Sequence, residues 1–290
     1  MNRILKISKL LVPLFLLSLT SCTSNSGNNG DEQKQLSSKA EKRAVYERDE
    51  SSYRIVSYNV GTFSKYMTNS TSMVADMMKE IEADAMILNE LDKNNNRHNT
   101  DQLADFASYM DWNFYYAPAM KWNGGEYGNG AAYSKELKVL DKYVIALPKV
   151  TGSEDRSCVV IEFEDFVLAG THLEVASETD RVKGVQTITE RLTEKYGGGT
   201  KPVFICGDMN AEPSSETILE FEKDCKQLTP TKGTFPSSGG KNCIDFIFAL
   251  NNTGAYAVTA ADVLTSFKSG DVKKTSDHLP IYIDVTITKE

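Results

Sequence analysis

Hydrophobic residues recur along the chain with two spacings, and the elements that they predict alternate between strand and helix. Short runs with apolar side chains at every position, or at every second position, indicate β-strands. These runs cover residues 53–58, 85–88, 113–117, 131–134, 139–146, 159–163, 166–170, 203–206, 244–249, 256–263 and 279–287. Apolar residues at three- and four-residue spacing predict helices over residues 72–82, 101–110, 180–195 and 214–221.

The order of these elements predicts a β-rich α/β fold. A hairpin expected around Glu164-Asp165 occurs together with βα units, which disfavours a purely parallel, doubly wound sheet. No repeat of fixed period is visible, and no linker-like composition follows residue 50. We therefore predict one domain over residues 51–290, long enough to fill two packed sheets with outer helices.

The N-terminal residues differ in character from the rest of the chain. Three basic residues, Arg3, Lys6 and Lys9, precede an apolar run over residues 10–19. That run has the length of a signal-peptide core and is too short to span a bilayer. It leads into Leu19-Thr20-Ser21-Cys22, which resembles a bacterial lipobox. The resemblance implies cleavage before Cys22 and attachment of diacylglycerol to its thiol. The alternatives are an ordinary signal peptide cut nearby and a chance occurrence of the cysteine.

Three segments follow from this pattern. We predict a lipoprotein signal peptide over residues 1–21, a flexible tether over residues 22–50 and the folded domain from residue 51. The tether is rich in Ser and Asn, and it has no apolar period that could offset the entropy of ordering it. The predicted location is that of an exported bacterial lipoprotein, anchored to a membrane through lipidated Cys22, in the periplasm or at the cell surface.

Charge and cysteine content narrow the choice of partners. The formal net charge is −8, and removal of a signal peptide with three basic residues makes the chain more acidic still. An acidic chain is not suited to bind extended nucleic acid by neutralising phosphates, although a local basic patch stays open. Beyond Cys22, the cysteines Cys158, Cys206, Cys225 and Cys243 lack CxxC spacing, which disfavours a zinc site. We predict a monomer.

Polar residues collect where predicted strands begin or end. Asn59, Glu90, His172, Asp208 and Asn210 lie at or just past the carboxyl ends of apolar runs, where open α/β sheets build their sites. Singly, each has an ordinary explanation as a turn residue, a helix cap or a structural histidine. As a set they offer mostly carboxylate and amide oxygens. Such ligands suit Mg²⁺, with Mn²⁺ and Ca²⁺ as alternatives, better than zinc or copper.

Three further residues strengthen this interpretation. Asp245 lies inside the apolar run NCIDFIF, and a buried charge there needs a partner such as a protonated histidine. Asp277 and His278 stand side by side at the start of the final strand, in KKTSDHLPIYIDV. A carboxylic acid and an imidazole at the start of a strand indicate a site that transfers protons.

The ordered motifs SYN, NE, THLE, GDMN, CIDFIF and SDHLP resemble the endonuclease/exonuclease/phosphatase superfamily. Its metal-dependent phosphoesterases include pancreatic-type DNases, abasic-site endonucleases, neutral sphingomyelinases and inositol polyphosphate 5-phosphatases. The segment GEYGNGAAYSK also looks like the family's glycine-rich strand. The resemblance covers residues 53–286 and implies a DNase I-like, four-layer α/β/β/α sandwich of two mixed β-sheets.

The resemblance also implies roles, carried over motif by motif. Asn59 and Glu90 look like metal-site residues, and Asp277 joins the metal and water network. His172 and Asn210 resemble the groups that hold the scissile phosphate, and Asp208 the acid that orients or deprotonates water. Asp245 and His278 look like a coupled pair. The catalytic set implied is therefore His172, Asp208, Asn210, Asp245 and His278, and the metal set is Asn59, Glu90 and Asp277.

Two positions depart from the family pattern. Asn89 precedes Glu90 where the family often has Gln, so the support of Glu90 by a neighbouring amide is in question. Lys135 follows Ser134 where Arg is frequent, which removes a bidentate phosphate contact at that position. Arg156 resembles a recurrent family arginine.

The function expected is Mg²⁺-dependent hydrolysis of a phosphodiester or phosphomonoester by water attack. Fold does not give the substrate. Lipid headgroups and small phosphorylated metabolites are favoured, and a secreted or periplasmic endonuclease is the alternative. A non-enzymatic alternative is a binding lipoprotein that keeps the fold and has lost catalysis. It would require broken motifs, whereas every expected catalytic position is filled.

Overall fold

Two six-stranded sheets make up the centre of the domain in the computed structural model, which describes residues 46–288. The predicted signal peptide and residues 22–45 of the predicted tether lie outside the described residues. Within residues 46–288, no helix is long and apolar enough to cross a bilayer.

The first sheet is mixed and contains both the earliest and the latest strands of the domain. Its strands, in spatial order, are β11 (Tyr256–Val263), β12 (Ile281–Ile287), β1 (Tyr53–Asn59), β2 (Ala85–Lys93), β4 (Gly125–Tyr133) and β3 (Asn113–Trp122). β1 pairs parallel with β2 and antiparallel with β12, and the other pairs are antiparallel.

The second sheet has a matching arrangement. Its spatial order is β5 (Val139–Ala146), β6 (Ser157–Phe163), β7 (Val167–His172), β8 (Val203–Asp208), β10 (Asp245–Leu250) and β9 (Cys225–Gln227). Only β7 and β8 pair in parallel. Each sheet therefore has one parallel pair near its middle. Three of these four strands end in a residue predicted for the site, and in β2 the predicted residue Glu90 comes just past the last pairing with β1.

Helices cover the outer faces of the two sheets. The described helices are α1 (Thr71–Glu80), α2 (Gln102–Met110), α3 (Glu178–Tyr196), α4 (Glu216–Asp224) and the single turn α5 (Val272–Thr275). The apolar faces of α1 and α2 pack in one core with the first sheet and the inner face of the second, whereas α3 and α4 pack on the second sheet's outer face. This order of helix, sheet, sheet and helix confirms the predicted four-layer sandwich.

The sheets approach each other closely where β2 crosses β7. A Cβ atom on Gly170 of β7 would lie only 2.5 Å from the side chain of Ile87 on β2, so only glycine fits there. The contact brings the carboxyl ends of the two parallel pairs to one seam. That seam holds the residues predicted for catalysis.

Helix starts are set by side-chain caps that periodicity does not reveal. The helix predicted over 214–221 begins at Glu216, because the Ser215 hydroxyl accepts a hydrogen bond from Ile218 N and so ends the preceding turn. Asp101 caps α2 in the same way, so that helix begins one residue later than predicted. Strand β9 has no counterpart among the predicted elements, because three residues are too few to show a period.

A buried ion pair fastens the start of the domain. Arg54 on β1 donates from Nε and Nη2 to both carboxylate oxygens of Asp284 on β12, at 2.8 and 2.7 Å, and both side chains are fully buried. Arg54 Nη1 also donates to the carbonyl oxygens of Tyr46 and Ile81. The Tyr46 ring packs edge-on against Tyr282. Packing against the domain therefore extends back to Tyr46, before the predicted domain start at residue 51.

The four cysteines downstream of Cys22 are free and buried. Cys158 lies on β6 and Cys206 on β8, with β7 between them, whereas Cys225 lies on the edge strand β9 and Cys243 on the loop before β10. Burial raises the pKa of the Cys158 thiol to about 12, which keeps it uncharged and unreactive.

Candidate active site

The predicted site residues meet at the seam between the two sheets. Asn59 and Glu90 come from the first sheet, and His172, Asp208 and Asp245 come from the second. Asn210 follows β8, while Asp277 and His278 precede β12. All eight lie in one connected patch. Six of them are buried, and Glu90 and Asn210 are half-buried.

Asn59 is the point at which the two halves of the site are joined. Its Nδ2 donates to Glu90 Oε1 and to Asp208 Oδ2, both at 3.0 Å, and its Oδ1 accepts from Gly61 N at 3.1 Å. Glu90 belongs to the first sheet and Asp208 to the second, so a single amide spans the seam. An amide can do this without adding charge between two carboxylates.

Glu90 reaches the site because β2 is irregular at that position. The register between β2 and β4 shifts between Leu88 and Leu91, and Glu90 has a left-handed backbone with φ of 58°. A bulge of this kind re-aims a side chain that regular alternation would direct elsewhere. Non-glycine residues rarely adopt such a φ, and active sites are among the places where such strained residues cluster.

Asn89 supports the opposite sheet. Its Nδ2 donates to Asn129 Oδ1 at 3.1 Å and to the Thr171 carbonyl at 3.0 Å, and its Oδ1 accepts from Asp208 N at 3.0 Å. The substitution of Asn for the family's frequent Gln therefore yields a fully bonded amide. Asn89 fixes the backbone of Asp208, and Asn59 bonds the Glu90 carboxylate.

Asp208, Asp245 and His278 form a compact cluster. His278 Nδ1 is 2.9 Å from Asp245 Oδ2, and His278 Nε2 is 3.5 Å from Asp208 Oδ2. Burial together with the Asp245 carboxylate raises the pKa of Asp208 to about 6, against the opposing effect of His278. Burial alone would lower the pKa of His278, but the Asp245 and Asp208 carboxylates raise it to about 10.

These pKa values separate an acid from a base. At neutral pH the Asp208 carboxylate is ionised, so it can accept a proton, whereas His278 is charged and can donate one. Ligand atoms of Asp208, Asp245 and His278 lie within 4.8 Å of one another, a spacing that could also hold a metal ion. A charged imidazole carries protons on both nitrogens, however, and has no lone pair for a metal. With these charges, the arrangement could serve proton transfer.

His172 and Asn210 form a neutral pair beside this cluster. Asn210 Nδ2 donates to His172 Nε2 at 2.9 Å and to the Leu173 carbonyl at 3.0 Å. Burial lowers the pKa of His172 well below its ordinary value, and the charges of Arg156 and His278 lower it further. The ring is therefore neutral with its proton on Nδ1, a buried atom without a hydrogen-bond partner among the described residues.

Glu174, the last residue of THLE, organises a loop beside the site. Its carboxylate accepts hydrogen bonds from the backbone N–H groups of Ser153, Glu154 and Ala176. The same loop carries Arg156, whose guanidinium is buried and pairs with Glu154 Oε2 at 2.5 Å. The loop thereby places one strong cation close to His172.

Two residues at the site escaped sequence analysis. Lys65, on the loop after β1, places its Nζ 2.6 Å from Asp277 Oδ2. Tyr127, inside the glycine-rich strand, has its pKa raised by burial and by the nearby Glu90 carboxylate. Neither position has a signal in the sequence, because a loop lysine and a strand tyrosine are ordinary residues in those settings.

The donor set suits a divalent cation of the magnesium type. Glu90, Asp277 and the amide oxygen of Asn59 are hard oxygen donors at the seam, where Asn59 Nδ2 also bonds the Asp208 carboxylate. Asp245 Oδ1 is a further buried carboxylate oxygen without a hydrogen-bond partner in the described part of the chain. Oxygen donors of this kind select Mg²⁺, Mn²⁺ or Ca²⁺ over softer metals.

Comparison with known proteins identifies the family of this chain. A family model described as the Endonuclease/Exonuclease/phosphatase family matches residues 56–278. Rat Nocturnin is 27% identical over 149 residues, which are 43% of this chain and 34% of Nocturnin, so the chain spans about a third of that curated relative.

Solved structures show the same fold. An endonuclease/exonuclease/phosphatase from Bacteroides vulgatus superposes with a TM-score of 0.67 at 17% identity, covering 82% of this chain and 99% of the other. A mannosyl-6-phosphatase from Bacteroides thetaiotaomicron superposes with a TM-score of 0.67 at 16% identity, covering 80% of this chain and 99% of the other. The chain therefore belongs to the endonuclease/exonuclease/phosphatase family, whose members are hydrolases that act on phosphoester bonds.

Proposed function

We propose that this protein is a Mg²⁺-dependent phosphoesterase that acts on a lipid headgroup or a small phosphorylated metabolite. The observation that carries the proposal is the pairing of a base and an acid in one cluster. At neutral pH the Asp208 carboxylate is ionised and the His278 imidazole is protonated. Asp208 Oδ2 and His278 Nε2 lie 3.5 Å apart across the seam. Hydrolysis of a phosphoester needs both, one to take a proton from water and one to protonate the leaving oxygen.

The reaction divides between three groups of residues. Glu90, Asn59 and Asp277 would hold a divalent cation, which when bound neutralises phosphate charge and stabilises the leaving oxygen. Asp208 accepts the proton of the attacking water as the new P–O bond forms. His278 gives its Nε2 proton to the leaving alkoxide as the old P–O bond breaks, and Asp245 stabilises the imidazolium from the other side.

His172 and Asn210 orient the phosphate. Both N–H groups of Asn210 are engaged, one with the Leu173 carbonyl and one with His172 Nε2. A phosphate oxygen is a stronger acceptor than a neutral imidazole, so it can replace His172 as the acceptor of one of them. A neutral amide does this without quenching the nearby carboxylates.

The acidic charge of the chain supports a small or membrane-bound substrate over a long polyanion. The formal net charge is −8, and cations beside the site such as Lys65 and Arg156 are paired with acids. Binding of extended nucleic acid depends on many unpaired cations. A lipid headgroup would also suit the membrane anchor that we propose at Cys22 after removal of residues 1–21, a proposal supported by the sequence alone.

Metal removal tests the reaction class. Treatment with EDTA is expected to abolish hydrolysis of bis-p-nitrophenyl phosphate, and added Mg²⁺ to restore it, because a divalent cation must offset the phosphate charge. Release of p-nitrophenolate measures the rate. Turnover that persists in protein shown by elemental analysis to be free of metal would contradict the proposal.

A substrate panel then identifies the class of phosphoester. Plasmid DNA, sphingomyelin vesicles and inositol phosphates are compared at equal Mg²⁺ concentration. We expect turnover of the lipid or of the inositol phosphates and little of DNA. Hydrolysis of plasmid DNA at a higher kcat/KM than either would favour the endonuclease alternative.

The pH dependence tests the assignment of acid and base. We expect kcat/KM for an alkyl phosphoester to rise about tenfold per pH unit until Asp208 ionises and to fall once His278 deprotonates. The acidic limb of the pH profile should bend at about pH 6 and the alkaline limb at about pH 10, since these are the pKa values of Asp208 and His278. Asp245→Asn should move the alkaline limb to lower pH, because it removes the charge that stabilises the imidazolium.

A p-nitrophenyl ester serves as the matched control for the alkaline limb. Its leaving group is a stable anion that needs no proton, so its rate should stay nearly flat where the alkyl ester declines. An alkaline limb equally steep for both substrates, or unmoved in Asp245→Asn, would remove His278 as the general acid.

A further inference from the structure

Lys65 contacts a residue that we assign to the metal site. Its Nζ lies 2.6 Å from Asp277 Oδ2, and the Lys65 side chain is 44% exposed whereas that of Asp277 is 12% exposed. The hydrogen bond to Asp277 raises the pKa of Lys65, and the Glu90 carboxylate contributes in the same direction. The ammonium therefore lies in the field of two of the three proposed metal ligands.

The backbone before Lys65 adopts an unusual conformation. Gly61, Thr62 and Phe63 have φ values of 52°, 55° and 52°, three consecutive left-handed residues, of which one is β-branched and one is bulky. Such residues rarely adopt this conformation, and it persists only where surrounding contacts impose it. The turn sets the direction in which the following loop, with Lys65, leaves β1.

Gln102 supplies the contact that holds this turn. Its Nε2 donates to the Thr62 carbonyl at 2.5 Å, and its Oε1 accepts from Asp92 N at 2.8 Å. Asp92 lies two residues after Glu90 on β2. One buried side chain therefore ties the turn that precedes Lys65 to the strand that presents Glu90, so the position of the lysine is coupled to that of the carboxylate.

We propose that Lys65 is an exchangeable counter-cation of the active site, paired with Asp277 in the metal-free protein and with the substrate phosphate once Asp277 holds a divalent cation. The proposal rests on the proposed metal-dependent function. An ammonium and a divalent cation repel each other at one carboxylate, so the two compete for Asp277. The flexible stem of lysine lets Nζ move to a phosphate without moving the backbone.

Two opposite effects follow from removing the charge. Without Lys65, metal binding no longer has to displace an ammonium, so the metal should bind more tightly. Phosphate loses one cation, so it should bind less tightly. A lysine with only a structural role on the loop would produce neither this pair of effects nor its dependence on charge.

Isothermal titration of Mg²⁺ into chelator-treated protein tests the first effect. Lys65→Met should bind Mg²⁺ about two- to fivefold more tightly than the wild type, in the range expected for a partly exposed ion pair. Lys65→Arg keeps the charge and should bind as the wild type does. Lys138→Met is the matched control, since Lys138 pairs with Glu164 at 2.6 Å near the other end of β7.

Titration of inorganic phosphate into the Mg²⁺-saturated proteins tests the second effect. Lys65→Met should bind phosphate about tenfold more weakly, because it loses one charge-assisted hydrogen bond, and Lys65→Arg should retain most of the affinity. Native circular dichroism of each variant establishes that it is folded.

Several results would overturn the proposal. Unchanged or weaker Mg²⁺ binding by Lys65→Met removes the competition, and unchanged phosphate binding removes the exchange. Absence of binding of Mg²⁺, Mn²⁺ and Ca²⁺ by the wild type would overturn both this proposal and the metal dependence proposed above. Failure of turnover alone, with the two titrations as expected, would count against the hydrolytic function and leave the exchange intact.

Discussion

Replacement of Asp208 by asparagine is expected to lower kcat by about 10²–10⁴, the usual contribution of a positioned general base. The amide is close in size to the carboxylate and can still accept the hydrogen bond from Asn59 Nδ2, which donates to Asp208 Oδ2 at 3.0 Å. It cannot take a proton from water. The loss should therefore appear in kcat for bis-p-nitrophenyl phosphate, with circular dichroism unchanged.

His278→Ala should lower the rate of alkyl phosphoester hydrolysis by a similar factor, because the leaving oxygen then departs without a proton. The double variant Asp208→Asn/His278→Ala should be little worse than either single one, since both residues act in the same step. Asp262→Asn is the control, because Asp262 is a surface carboxylate paired with Lys232. Near-normal turnover by folded Asp208→Asn would refute the assignment of the base.

Replacement of Arg54 by methionine is expected to reduce the free energy of unfolding by about 3–5 kcal/mol, the usual cost of leaving one partner of a buried ion pair without the other. Arg54 and Asp284 are both fully buried, and Arg54 donates to both oxygens of the carboxylate. Methionine fills much of the space and cannot compensate the charge of Asp284. Urea unfolding followed by circular dichroism measures the loss.

The double variant Arg54→Met/Asp284→Leu separates charge from packing. It removes the stranded carboxylate, so it should recover most of the stability that the single variant loses. Lys232→Met breaks an exposed pair with Asp262 and should cost less than about 1 kcal/mol. A loss in Arg54→Met no larger than the loss in Lys232→Met would show that the buried pair does not stabilise the fold.

The sequence locates the site because each buried run ends in a polar residue. Asn59 ends β1, and Glu90 follows the part of β2 that pairs in parallel with β1, while His172 and Asp208 end the parallel strands β7 and β8. Parallel neighbours finish at one edge of a sheet, so their last residues meet whatever the details of packing. The motif resemblance adds that the two sheets face each other, which places the four residues at one seam.

Contacts across the seam are beyond the reach of pattern analysis. Asn89 bonds to Thr171 and to Asp208, which lie 82 and 119 positions further along the chain. Periodicity gives the face on which a side chain lies and nothing about its neighbour in another sheet. Arg54 shows the same limit. In the strand pattern it is a polar interruption, and its partner is 230 positions away.

The position of β12 has a consequence for biosynthesis. This strand, the last in the described chain, lies between β11 and β1, and β1 is the first strand. A nascent chain that has not yet released residues 281–287 from the ribosome leaves one edge of β1 open to pairing with other chains, a hazard for aggregation. It also lacks a settled Asp277-His278 segment. Until β12 pairs with β1 and β11, the incomplete first sheet therefore needs protection from other chains.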